Sequence, residues 1–284
     1  MSPSAVATRA ARSLSVLCLA VVIQLPCVAQ VDDAAQEKAK ELARQEDLAV
    51  ELLRAMDRRI YRARDAGMND VFFRHRFKGD GALSDVDFYV AFWWKKPFRQ
   101  RLEFQDAKGK PLKSMPASLQ KNPQSIKWLK SSTEALAHTR LIGLPFEKVY
   151  SDYHKSVTER IVNNEVEKRI SLVPRKRKIF NKITIVVRGG LPVEIHKTSE
   201  AGREVHLFYK YEKRGKLNLC VGMTNEVAHR IMLEEAYTYV TINDVIVLKK
   251  ILRMSNSGPT KKTTITLEEL KVNQKLSDDV FEAK

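Results

Sequence analysis

The chain has 284 residues, of which 44% are hydrophobic and 30% charged, with a net charge of +16 at pH 7. This composition excludes a disordered chain and a bundle of membrane-spanning helices. The length admits two domains, but one β-rich domain of about 250 residues is ordinary. The positive charge points to an anionic partner: phospholipid headgroups, an acidic protein or nucleic acid.

At the N-terminus, Arg9 and Arg12 precede an apolar run over residues 14–23, which is too short to span a bilayer. Cys27-Val28-Ala29 then offers small residues before Gln30, the pattern of a cleaved secretory signal. An uncleaved anchor is the other reading of this run. Cys18 follows Leu17 and Cys27 follows Pro26, so neither suits a lipoprotein cleavage site. The expectation is a signal over residues 1–29 and a single exported domain over 30–284. Cleavage would remove two arginines and no acid, leaving +14. It would also leave Cys220 alone, with no internal disulfide framework. A lone strand cysteine reads as a small buried hydrophobe, with a reactive thiol as the alternative.

Residues 33–66 predict one long helix, because Ala35, Ala39, Leu42, Ala49, Leu53, Met56, Ile60 and Ala63 recur at three and four residues. Asp33 can cap its start and Gly67 can end it. Arg54, Arg58, Arg59, Arg62 and Arg64 suit the negative end of the helix dipole. Residues 70–79 predict a strand with Val71, Phe73, His75 and Phe77 on one face. The next stretch, residues 84–106, reads SDVDFYVAFWWKKPFRQRLEFQD. It alternates at period two, breaks at Pro97, and alternates again. Val86, Phe88, Val90, Phe92 and Trp94 share a face before the break; Phe98, Leu102 and Phe104 share one after it. Proline cannot donate to a ladder, so Pro97 marks a bend between two strands. The aromatic row is either a core covered by helices or the lining of a cavity for an apolar ligand.

Residues 116–153 carry Pro116, Pro123 and Pro145 and the spacing of short helices. This is an insertion between strands, too short to hold a core of its own. Antiparallel strands follow from Lys155. Gly189-Gly190 and Asn243-Asp244 mark tight hairpins, Ala201-Gly202 marks another turn, and residues 262–272 predict the last long strand. The expected fold is mainly β: one antiparallel sheet of roughly nine to eleven strands with a few helices.

No motif of catalysis, phosphate binding or dinucleotide binding is present, so no enzyme activity and no cofactor are expected. His196 and His206 lie on neighbouring strands. A two-residue turn at Ala201-Gly202 sets His196 opposite Leu207 and His206 opposite Lys197, so the two are not expected to pair and no metal site is expected. The basic residues are dispersed apart from residues 175–178, and no nucleic-acid motif fits.

Several segments, taken in order, resemble the outer-membrane lipoprotein-sorting family, the LolA-like periplasmic lipoprotein carriers. They are the signal, the amphipathic helix and the aromatic strand ending Trp94-Lys95-Lys96-Pro97. The strand ISLVPR over residues 170–175 and the hairpin KITIVVRGGLP over 182–192 are similar too. So is the tail, LKVN over 270–273 followed by LSDDVF over 276–281. The resemblance implies an incompletely closed antiparallel β-barrel with a helical lid over an apolar concave face that binds acyl chains. It implies a periplasmic, non-enzymatic carrier or binding protein for lipid or lipoprotein acyl chains. The alternative on the same fold is an envelope-stress sensor or scaffold that binds a protein partner. An anionic membrane surface or an envelope protein are further partners; nucleic acid is not.

On this reading the concave face is lined by Phe73, Phe88, Val90, Phe92, Trp94, Leu102 and Phe104. The second half adds Ile170, Leu172, Ile185 and Val187, with Lys96 at the rim. Lys96 stands where the carriers have an Arg before the Pro, and lysine lacks the planar five-donor fork. The family's strand with an Asp-Gly start and a Trp after the first hairpin is replaced here by helix-like sequence.

Overall fold

Tight turns set the architecture. Asn163-Asn164, Gly189-Gly190, Ala228-His229 and Asn243-Asp244 each have both central residues at positive φ. That backbone matches the right-handed twist of paired strands and closes two-residue hairpins. Gly215, also at positive φ, begins a fifth two-residue connection. In the computed structural model, which describes residues 27–79, 84–256 and 261–282, these turns join most of a nine-stranded antiparallel meander. Residues 1–26, where most of the expected signal falls, lie outside the described residues; of residues 27–29 only the backbone is described, as helix.

The chain divides between Glu41 and Leu42 into two compact units, and every strand belongs to the second. Helix α1 covers Cys27–Asp57. Side chains from Asp33 to Glu41 are exposed, while Ala49, Leu53 and Met56 are fully buried. The helix stops nine residues before the predicted end. Beyond it the backbone is recruited by Asn218, which donates to the Arg59 carbonyl at 2.9 Å and accepts from the Tyr61 amide at 2.8 Å. Arg62 folds back on the Asp57 carbonyl at 2.8 Å and on its carboxylate.

A four-stranded sheet has the order β13-β1-β2-β3, with β1 Asp70–Lys78, β2 Asp87–Lys95, β3 Arg99–Gln105 and β13 Glu268–Val272. The larger sheet runs in sequence order: β4 Tyr153–Val162, β5 Glu165–Pro174, β6 Phe180–Arg188, β7 Leu191–Ser199, β8 Glu204–Arg214, β9 Leu217–Val227, β10 Arg230–Ile242, β11 Val245–Ser255 and β12 Lys261–Thr266. Its end strands β4 and β12 do not pair with each other, so the sheet is not closed into a barrel.

The mainly β antiparallel class stands, but the single sheet of nine to eleven strands does not: the described residues form thirteen strands in two sheets. The predicted last strand divides at Leu267, which is fully buried. Its amide donates to the Lys249 carbonyl at 2.9 Å, and its carbonyl accepts from Lys249 Nζ at 2.7 Å. The chain thus leaves the large sheet as β12 and enters the small one as β13.

Between β3 and β4 lie α2 (Ala117–Gln120), α3 (Pro123–Leu136), a π-helical turn (Ala137–Ile142) and α4 (Phe146–Val149). Asn122 caps α3, its side chain accepting from the Ser125 amide at 3.4 Å. Gly143 ends the π-helical turn at φ +73°. The insertion has no separate core. Leu119 and Leu129 pack on the β2 aromatics, and Ala137, Leu141 and Ile142 join a cluster with Phe92, Val247 and Leu248. No described helix is long and apolar enough to cross a membrane.

Candidate functional site

The π-helical turn presents Arg140 to two cavities. Its wide turn anchors on buried Leu141 and Ile142 while Thr139 and Arg140 face outward from that anchor. Single π-helical turns recur at functional sites. A cavity of about 340 Å³ lies on one side, walled by Ile195, Leu207, Leu219 and Leu248, with Tyr61, Tyr209, Tyr211, Tyr239, Cys220 and Lys197. A second, of about 790 Å³, lies on the other, between Phe77, Trp128, Leu129, Leu136, Met223 and Ile251, with His75, Thr133, Glu235 and Arg253. Both volumes fall in the range that holds small molecules.

The smaller cavity is lined by Arg62, Arg140 and Lys197 and by no acid among the described residues, whereas the larger one also carries Glu235 and Glu268. The Arg140 guanidinium lies 5.2 Å from the Tyr237 ring centroid and 5.6 Å from that of Tyr209, positions of cation–π attraction. Burial opposes its charge, but Tyr237, Tyr209, Cys220 and Glu235 together raise its pKa, so it stays protonated. Burial and Arg140 both lower the pKa of Lys197. Glu235, the acid whose charge acts on Arg140, is already committed. It accepts from Arg253 at 2.6 Å and from the Tyr237 hydroxyl at 2.7 Å. Among the described residues no carboxylate forms an ion pair with Arg140 or Lys197.

The polar wall is otherwise satisfied. Tyr211 donates to the Pro192 carbonyl at 3.1 Å and Tyr239 to that of Cys220 at 2.6 Å. The Tyr61 hydroxyl accepts from the Ile246 amide at 2.7 Å. Burial raises the pKa of Tyr209, Tyr211, Tyr237 and Tyr239, so these phenols are neutral. Burial also raises the Cys220 thiol, which makes it a poor nucleophile. His75, brought down to about 4 by burial, is neutral and lies 3.1 Å from the Thr133 hydroxyl.

The residues expected to line one concave face are instead divided among three packed clusters. Phe73, Phe92 and Trp94 pack between the two sheets with Val247, Leu248 and Ile251. Phe88 and Val90, with Phe104 partly buried, pack on Leu119 and Leu129. Leu102 touches both groups. Ile170, Leu172, Ile185 and Val187 pack on Ala49, Leu53 and Met56 of α1. None of them borders either cavity. The phase across Pro97 does hold, since Val90 pairs with Phe104 and Phe92 with Leu102. Lys96 donates to the Arg64 carbonyl at 3.1 Å. The aromatic row is therefore packed core, partly between the sheets and partly under helices, and the open space lies elsewhere.

Arg140 and Lys197 had no signal in the sequence beyond being two of 50 basic residues. The histidine register is a correction. His196 and His206 are directly paired across β7 and β8, with ring centroids 4.1 Å apart. Ser199 and Arg203 close a three-residue loop: the Ser199 amide donates to the Arg203 carbonyl at 3.0 Å and Gly202 takes φ +73°. Such loops place a left-handed residue third, and the extra residue moves the register by one. No family model matches the chain, and no curated protein matches it.

Proposed function

We propose that this protein is an exported, non-enzymatic carrier or binding protein for lipid or lipoprotein acyl chains in the cell envelope. The ligand occupies the cavities beside Arg140, with its anionic head at Arg140 and Lys197 and its chain along the aliphatic and tyrosine walls. The observation that carries this reading is the pair of partly buried cations with no carboxylate partner beside apolar space. Burying unpaired charge is costly, and an incoming anion would relieve that cost. Transfer of acyl chains from water gains about 0.8 kcal/mol per CH2. The motif resemblance to the outer-membrane lipoprotein-sorting family supports the same reading and a periplasmic location.

The test is binding of fluorescent acyl probes with carboxylate, phosphate or neutral heads. Wild type is expected to bind the anionic probes more tightly. Arg140→Gln is expected to weaken them at least tenfold while changing the neutral probe little, since hydrogen bonds to charged groups contribute about 1.5–3 kcal/mol. Equal loss for all probes would overturn the head assignment. A wild type that binds none of them would overturn the carrier reading. It would favour a sensor or scaffold with a protein partner, which the complete packing of Phe73, Phe88, Phe92 and Trp94 supports.

A further inference from the structure

The strands that wall the smaller cavity carry a different chemistry on their other face. Along β7, Ile195 and Lys197 border the cavity, so Glu194 and His196 lie on the reverse side. Along β8, Leu207 and Tyr209 border it, so Glu204 and His206 lie on the reverse. The one-residue register shift at Gly202 brings these four together. His196 Nε2 is 3.6 Å from Glu204 Oε1, and His206 Nε2 is 4.0 Å from Glu204 Oε2. One donor atom from each of the three residues fits within 4.8 Å of the others.

We propose that His196, His206 and Glu204 bind a divalent transition-metal cation of the zinc class, with Glu194 as the positioning carboxylate. Two imidazoles and a carboxylate are a donor set that zinc accepts, at metal–ligand distances of about 2.0–2.2 Å. Ligands around such an ion lie about 3.3 Å apart by tetrahedral geometry, so small side-chain rotations close the observed spacing. Two further features suit the role. His206 Nδ1 lies 2.7 Å from Glu194 Oε1, the carboxylate contact that holds a ligating histidine with its other nitrogen free. His196 Nε2 is shielded from solvent and has no hydrogen-bond partner, an orphaned donor atom facing the Glu204 carboxylate. Lys182, whose charge acts on His196, works against a metal here. Three protein ligands leave a fourth position for water or a ligand from outside.

The experiment uses the full chain, stripped with a chelator and then titrated with Zn2+ by calorimetry and with Co2+ by absorption. Wild type is expected to bind one equivalent and to give the visible bands of cobalt in a low-symmetry site. His206→Gln and Glu204→Gln are expected to weaken Zn2+ at least tenfold. Glu194→Gln is expected to weaken it 10- to 100-fold with the stoichiometry unchanged. His154→Gln, at an exposed position away from the cluster, is expected to change nothing. If His206→Gln does not fold, Glu204→Gln, on a half-exposed side chain, carries the test. No Zn2+ binding by wild type at tens of micromolar would overturn the proposal. So would undiminished binding in folded Glu204→Gln, or loss of binding in His154→Gln.

Discussion

Glu167 has no exposed side-chain surface, yet three arginines from three strands converge on it. Arg160 and Arg169 donate to Oε1 at 2.6 and 2.8 Å, and Arg188 donates to Oε2 at 2.8 Å. Burial alone would raise its pKa, but the three hydrogen bonds outweigh it and bring the carboxyl down to about 2. A folded pKa below the unfolded value gives stability that is present above about pH 4.5 and lost as the pH falls through about 2. Glu167→Gln is expected to cost roughly 1–3 kcal/mol at neutral pH. In urea titrations across a pH series, its deficit against wild type is expected to shrink between pH 4.5 and 2. A constant deficit would contradict the charge assignment. None of this was visible in the sequence, because period-two reading places Glu167 on a face without saying which distant arginines share it. The same limit hid Arg140 on its π-helical turn, whose meaning comes from Tyr209 on β8 and Tyr237 on β10. The histidine pair was hidden by a single residue of loop length.

Most hairpins were legible because their turns are written locally. Gly189-Gly190 and Asn243-Asp244 both adopt the left-handed pair that their types favour. Two elements were misread for one reason, that apolar spacing continues through a break made by tertiary hydrogen bonds. Ile60 and Ala63 prolong the stripe of α1 although Asn218 has already captured the backbone. Leu267 keeps the alternation of the last strand although Lys249 holds it on both sides, and no Gly or Pro marks the change of sheet. Leu267 is the only buried side chain at that crossing among the described residues. Leu267→Ala is expected to cost about 2–5 kcal/mol, read as a lowered denaturation midpoint with unchanged slope. A cost below 1 kcal/mol would mean that the junction is not a fixed point of the fold.

The whole molecule combines two kinds of pairing. In the large sheet every strand pairs with the next in sequence, so loop-closure entropy is small at each step. In the small sheet β1 lies between β2 and β13, with Val71 opposite Val272. Hydrogen exchange is therefore expected to show β13 and the β1 amides that face it opening together, with the β6–β8 amides protected for longer. Equal protection in both sheets would refute that division. The antiparallel, mainly β class could be read from alternation and turns. The division into two sheets could not, because it depends on partners some two hundred residues apart. That separation also has a meaning in time. During synthesis, β1 emerges long before the strand that completes it. At about 5–20 residues per second, roughly ten to forty seconds pass with one edge of β1 bare. An open edge of this kind recruits foreign strands. A nascent chain of this protein thus depends on whatever shields it during that interval, and a message cut short before codon 268 yields a product with that edge permanently exposed.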